Sequence, residues 1–279
     1  MRTKSIIYLI LAGLFWSIGG VFIKTSGINP FVISSIRGGV AAIVFFLWLK
    51  GRPKFTFSRP QIIGAIAYSL VLTGFVLANS LTSAANAILL QYAAPVYVAI
   101  IGFFVLHEKL HWYDFIAIVG VIGGMRILMG NRFQGNSLAG DLIAFGSGIF
   151  YAIFIIALRK QKYASSYETV LLGNIFTFLI GFPFFFLHPP ALAGLPPILF
   201  LGVIQIALPY LLFTAASKHA KAIDMSIFPV IEPLMNPVWV FLVTGENPGI
   251  RAVAGGAILL AVVAFKSIVE LRKPSNQHR

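Results

Sequence analysis

The chain has 279 residues, 58% of them hydrophobic and only 10% charged, where an ordinary soluble domain carries about 25% charged residues. That balance excludes a water-facing globular protein, because most of the surface must face lipid. A formal charge of +13 would suggest nucleic acid as a partner, yet the basic residues sit in short clusters between long apolar runs, so no nucleic-acid partner is expected. The absence of cysteine removes disulfides, thiolate metal sites and a Cys nucleophile.

Backbone polar groups in hydrocarbon must be satisfied within their own segment, so an apolar run near 20 residues reads as a membrane helix. The first, 5–23, follows Met1-Arg2-Thr3-Lys4 and is too long for the apolar region of a signal peptide, so it reads as a retained span. The others follow at 30–49, 61–78, 84–106, 112–129, 138–158, 169–187, 196–216, 222–244 and 250–269. The fifth is the weakest, because Asp114 and Arg126 trim its uncharged centre, and a count of eight or nine spans is the alternative. Both are placed near its ends, where they can reach the interface. The fold class read from this pattern is all-α and integral to the membrane, with ten transmembrane helices.

Lysine and arginine accumulate in cytoplasmic loops. With the N-terminus inside, sixteen basic residues fall on the inner side, among them Arg2, Arg52, Arg159, Lys218 and Lys266. The outer side receives Lys24, Arg126, Arg132 and Arg251, and Arg37 lies within the second span. This asymmetry predicts an even number of spans with both termini in the cytoplasm of a cell that carries the chain in its plasma or inner membrane. Loops are short, so function must reside within the helical bundle.

One internal repeat is visible at an offset of 138 residues, where Asn86 aligns with Asp224, Pro95 with Pro233 and Glu108 with Glu246. The two segments lie five spans apart, and an odd offset reverses the direction of crossing. Inverted repeats of this kind are a transporter architecture. They divide the chain into residues 1–132 and 133–279, five helices each.

Phe15-Trp16-Ser17, Ile36-Arg37-Gly38, Ala94-Pro95-Val96 running to Leu106-His107-Glu108-Lys109-Leu110, and Glu232-Pro233-Leu234 running to Gly245-Glu246 occur in that order. In this joint order the chain resembles the drug/metabolite transporter superfamily, specifically EamA-type ten-helix transporters. The resemblance implies a central cavity lined by spans one, three, four, six, eight and nine, and export or exchange of small metabolites such as amino acids. Asn247-Pro248-Gly249 departs from the family's usual continuation, and Arg37 is matched by Asn174 in the other half, which puts exact symmetry in doubt.

Several residues are candidates for function. Pro95 and Pro233 fall near mid-span, where proline removes a backbone hydrogen bond and kinks the helix. The carbonyls freed are those of Gln91 and Pro229, and such backbone is tolerated at depth where it is buried or lines a water-filled cavity. Glu232 is the acidic residue nearest the centre of any span, about 15 Å from the inner end at 1.5 Å per residue. A charge there costs at least about 2.5–3.5 kcal/mol and usually faces a pathway or partner. It reads as a carrier of a coupling proton, a contact for a cationic substrate group, or a structural carboxyl beside unwound backbone. Arg37 is placed closer to the outer end of span two, where snorkelling or packing competes with attraction of an anionic substrate. Trp16, Asn79, Asn86, Gln91, Tyr92, Tyr151, Gln205 and Asn236 complete the candidate cavity lining, with Arg37, Glu232, Pro95 and Pro233 as candidates for coupling or gating. Tyr97, Tyr210 and Trp239 lie at similar depth.

The leading functional reading is a secondary transporter moving amino-acid-like or drug-like solutes by alternating access, in the outward direction and without enzymatic activity. The chain has no Walker motif, so energy would come from a gradient, a coupling proton or an exchange partner. Its partners are a small-molecule substrate and the bilayer, and the sequence leaves the oligomeric state open while being compatible with a monomer. The alternative is a membrane-embedded enzyme acting on a lipid or isoprenoid, which requires clustered carboxylates or a nucleophile with a positioned base; eight acids scattered over 279 residues do not supply them. A non-transporting scaffold would bind no small solute. His107, Glu108 and His111 lack the spacing of a zinc helix motif, and neither a metal nor a cofactor is expected.

Overall fold

The computed structural model describes residues 2–18, 28–82, 84–129, 137–244 and 249–272. Within them the chain forms ten helical rods: α1 (Arg2–Trp16), α2 (Pro30–Trp48), α3 (Arg59–Leu81), α4 (Ala84–Gln91 and Ala94–Leu106), α5 (Trp112–Met129), α6 (Leu138–Lys160), α7 (Ser166–Leu187), α8 (Leu195–Ser217), α9 (Ala222–Ile227, a 3₁₀ turn at Phe228–Val230, then Ile231–Thr244) and α10 (Gly249–Leu271). No strand occurs among the described residues. The protein is an all-α integral membrane protein of ten transmembrane helices. Its outer surface is a belt of apolar side chains such as Leu47, Phe104, Val119 and Leu242, as lipid contact requires.

Local chemistry explains where the rods begin. Asn29 caps α2 by accepting the Phe31 N–H at 2.9 Å, with Pro30 in the first helical position, where its missing N–H costs nothing. Ser137 accepts the Gly140 N–H to start α6. Asp114 reaches back to the His111 N–H at 2.8 Å at the start of α5, a capping arrangement that satisfies one of the helix's first donors.

The rods pack as α3 against α6 and α7, α2 against α7, α1 against α8, α4 against α6, and α10 against α5. Close approach depends on glycine at two places. A Cβ on Gly13 of α1 would lie 2.4 Å from Ile231 Cγ2 and 2.8 Å from the Pro229 carbonyl oxygen, so α1 lies directly on the 3₁₀ turn of α9. A Cβ on Gly148 of α6 would lie 3.1 Å from the carbonyl oxygens of Leu90 and Gln91, which brings α6 against the break in α4.

Three rods are irregular at mid-depth, and proline accounts for each. In α4 the helix stops at Gln91 and restarts at Ala94, with Pro95 in the first turn of the new segment. Sequence reasoning expects a kink in a continuous helix; the structure makes a turn at Tyr92 and Ala93 instead. In α9 the break is the 3₁₀ turn containing Pro229, four residues before Pro233. In α8 residues Gly202–Ala207 widen into a π-helical turn. Pro209 lies four residues beyond Gln205 and cannot donate to its carbonyl, one of the recognised causes of such a disruption.

Two expectations are corrected. Lys266 reads as an inner-loop charge, but it is fully buried in α10 between Asp114 of α5 and Asp224 of α9. Asp114 therefore does not reach the interface; it too is fully buried. Length alone hid this, because Lys266 and Asp114 lie near span ends where solvent is the default partner.

Candidate functional site

The breaks in α4, α8 and α9 converge on one cavity. It offers about 50 Å³ of free volume and is lined by Trp16, Arg37, Val71, Leu72, Phe75, Gln91, Tyr92, Tyr151, Gln205, Ile206, Tyr210 and Glu232. At about 10–15 Å³ for each water, that is room for on the order of four waters. The lining comes from α1, α2, α3, α4, α6, α8 and α9. The resemblance omits α2 from the cavity helices, and Arg37 is what adds it.

The floor is aromatic. Trp16 packs on Tyr210, Phe213 and Tyr151 with centroid separations of 4.9, 5.4 and 6.4 Å. Its backbone carbonyl accepts the Gln205 side-chain amide at 3.2 Å, so the widened turn of α8 is tied to the end of α1. Polar capacity is left over here. The Trp16 indole N–H, the Tyr151 hydroxyl and the Gln205 amide oxygen are buried without a hydrogen-bond partner among the described residues, a condition that costs about 1–3 kcal/mol per group unless water or a ligand satisfies it.

Glu232 sits on α9 just beyond the 3₁₀ turn. Its Oε2 lies 2.7 Å from the Tyr92 hydroxyl, which also lies 3.0 Å from the Pro229 carbonyl oxygen. A phenol has one proton to donate, so Tyr92 serves one of these acceptors at a time. Pro233 lacks the N–H that a regular helix would direct at Pro229. Tyr92 thus brings a donor from the α4 break to the α9 break.

Arg37 does not snorkel. It is 4% exposed on α2 and lines the cavity, and its Nε and Nη1 have no hydrogen-bond partner among the described residues. No ion pair joins it to Glu232 among the described residues, although both border the same space. An arginine with open donors in a buried site is costly to maintain.

The other candidates fall elsewhere. Asn79 returns its amide to its own helix, donating to the Phe75 carbonyl at 2.9 Å. Pro95 and Pro233 shape the helix breaks and do not line the cavity. The side chains of Asn86 and Asn236 lie outside the described residues, as does Glu246. Sequence reasoning missed Val71, Leu72, Phe75 and Ile206 because apolar residues in a membrane span carry no distinguishing signal. Tyr210 carries no signal in the sequence beyond its depth in the span, and it lines the cavity.

Between the cavity and the face where α4 ends and α9 begins, two ionic clusters close the bundle. Glu108, after α4, accepts from Arg159 of α6 at 2.9 and 3.2 Å and from the Ala222 N–H at 3.0 Å. Arg159 also donates to the Ser217 carbonyl at 2.8 Å, so one ion pair joins four helices. The second cluster is Lys266 with Asp114 and Asp224, where Asp224 is 3.0 Å away. This face also holds Lys160, Lys162, Lys218 and Lys221.

A family model for the EamA-like transporter family matches residues 3–130 and again 138–268. The chain belongs to the EamA-like transporter family. It is a member of the drug/metabolite transporter superfamily and a transporter, which also points away from enzymatic activity. Among its relatives, an uncharacterized transporter of Archaeoglobus fulgidus is 26% identical, covering 91% of this chain and 93% of its own. The uncharacterized transporter YxxF of Bacillus subtilis is 23% identical over 95% of this chain and 89% of its own. The threonine/homoserine exporter RhtA of Escherichia coli is 24% identical over 87% of this chain and 83% of its own. A solved crystal structure superposes with a TM-score of 0.80, covering 98% of this chain and all of the other at 15% identity, a likeness of fold alone.

Proposed function

We propose that this EamA-family transporter is a secondary transporter that exports small metabolites, amino-acid-like or drug-like, across the cytoplasmic membrane by alternating access. The observation that carries the reading is the cavity itself. Open polar groups, a carboxylate and a guanidinium gather around one cavity where three helices are broken. Broken helices at mid-depth are how membrane transporters present polar groups to solutes. The relative named as a threonine/homoserine exporter supports both the solute class and the outward direction.

In this reading residues 1–132 and 133–279 are two inverted five-helix halves that rock about the cavity. The ionic clusters lie on the cytoplasmic side together with both termini, and the present state is closed on that side. Opening inward requires separating Glu108 from Arg159, which loosens α4, α6, α8 and α9 together. Glu232 carries the coupling proton when no substrate occupies the cavity, with Tyr92 as its hydrogen-bond partner. Pro95 and Pro233 keep the α4 and α9 breaks in register with each other.

The test is transport by purified protein in proteoliposomes, screened with radiolabelled amino acids and cationic metabolites with and without an imposed pH gradient. Protein-dependent flux of at least one amino acid, stimulated by the gradient, is expected. Flux indistinguishable from protein-free liposomes across the panel would overturn the proposal.

A further inference from the structure

We propose that the cavity is built for short zwitterions with a neutral side chain, the substrate's carboxylate on Arg37 and its ammonium on Glu232. This deepens the reading of the cavity as a transport site and rests on it.

Two opposite charges border one small space without pairing with each other. Left to themselves in a medium of low dielectric, a guanidinium and a carboxylate gain most by direct contact. Here each is held by its own helix, Arg37 by α2 and Glu232 by α9 beyond the 3₁₀ turn. Glu232 keeps one partner, the Tyr92 hydroxyl at 2.7 Å. Arg37 is 4% exposed, and its Nε and Nη1 are unpartnered. Guanidinium donors form a planar fork that matches a carboxylate. A solute carrying both a carboxylate and an ammonium offers each of the two a partner, whereas a plain cation leaves Arg37 open and a plain anion leaves Glu232 open.

The rest of the lining sets the side chain. Val71, Leu72, Phe75 and Ile206 are apolar, and Trp16, Tyr151 and Gln205 offer neutral polar groups. Among the described residues no third ionisable group of either sign lines the cavity to match a charged side chain, apart from the phenols of Tyr92, Tyr151 and Tyr210. Lysine-like, glutamate-like and multiply charged solutes are therefore excluded by desolvation, since burying an unpaired charge is strongly unfavourable. Cationic drug-like amines are disfavoured for the same reason at Arg37.

The experiment measures binding by thermal stabilisation of the purified full chain in detergent, with counterflow in proteoliposomes run beside it. The probes are leucine, threonine and phenylalanine, each beside the amine it becomes without its carboxylate and the acid it becomes without its ammonium, together with lysine and glutamate. At least one of the three neutral amino acids should bind about 10- to 100-fold tighter than both of its truncated analogues, the range for losing a hydrogen bond to a charged group. Lysine and glutamate should bind no better than the analogues. Arg37→Gln should abolish the preference for amino acid over amine while keeping the preference over acid, and Glu232→Gln should do the reverse. Should Arg37→Gln fail to fold, Arg37→Lys keeps the charge and loses the fork, so amino-acid binding should weaken about tenfold with the preference over amine retained. Equal binding of amine and amino acid, or an unchanged preference in Arg37→Gln, would overturn the assignment. If flux is seen in that case, the transporter reading stands and only the zwitterion assignment falls. Absence of both binding and flux across the panel would count against both.

Discussion

Lys266 offers the sharpest test of packing in the bundle. It is fully buried between Asp114 and Asp224, so one amine is shared by two carboxyl groups, and His111 Nδ1 lies 3.6 Å from Asp114. Lys266→Met keeps the length of the side chain and removes the amine that both carboxyl groups share. Removing one member of a buried pair costs about 3–5 kcal/mol. Asp224→Asn instead keeps the Lys266 to Asp114 pair, so its cost should stay within about 1–2 kcal/mol, the net value of one hydrogen bond. At roughly 2–4 °C per kcal/mol for a chain of this size, Lys266→Met should lower the melting temperature by about 6–20 °C and Asp224→Asn by about 2–8 °C. Melting of detergent-purified protein followed by size-exclusion fluorescence gives the comparison. If Asp224→Asn melts lower than Lys266→Met, the triad is not held together by its lysine and the reasoning fails.

Other consequences follow from single contacts. Glu108→Gln weakens the seal joining α4, α6, α8 and α9; a cysteine at Gln91 should then react faster with an impermeant thiol reagent applied from the cytoplasmic face, and an unchanged rate would remove Glu108 from the gate. Gly13→Val places methyl groups inside the contact with Pro229 and Ile231. Overpacking of this kind costs about 1–3 kcal/mol or more, so thermal stability should fall while Gly123→Ala, with open space around its Cβ position, leaves it unchanged. Single cysteines at Arg52 and Lys160 should label from the cytoplasm and one at His188 from outside; labelling of Lys160 and His188 from the same side would refute the topology.

The ten rods were legible because spanning helices need long apolar runs, and the proline positions marked two of the three breaks. Glu232, Tyr92, Tyr151, Trp16 and Gln205 were legible as polar or aromatic residues at depth. Arg37 was legible as a candidate but not its direction, since snorkelling and cavity facing differ by a rotation of α2 that no local pattern records. The Lys266 cluster was hidden for a related reason: its three members come from α5, α9 and α10, and only packing brings them together. The π-helical turn of α8 had a usable signal in Pro209, four residues after Gln205. The apolar lining had none, because a leucine facing a cavity and a leucine facing lipid look alike in the sequence.

The central claim is that the cavity at the helix breaks is the route of transport. The chain has no cysteine, so Tyr151→Cys introduces a single thiol at the cavity wall without further engineering. Alkylation of that thiol by a water-soluble reagent, followed by amino-acid counterflow in proteoliposomes, tests the claim directly. The account predicts that alkylation abolishes counterflow and that the transported amino acid slows the alkylation. Complete modification with undiminished counterflow would contradict it.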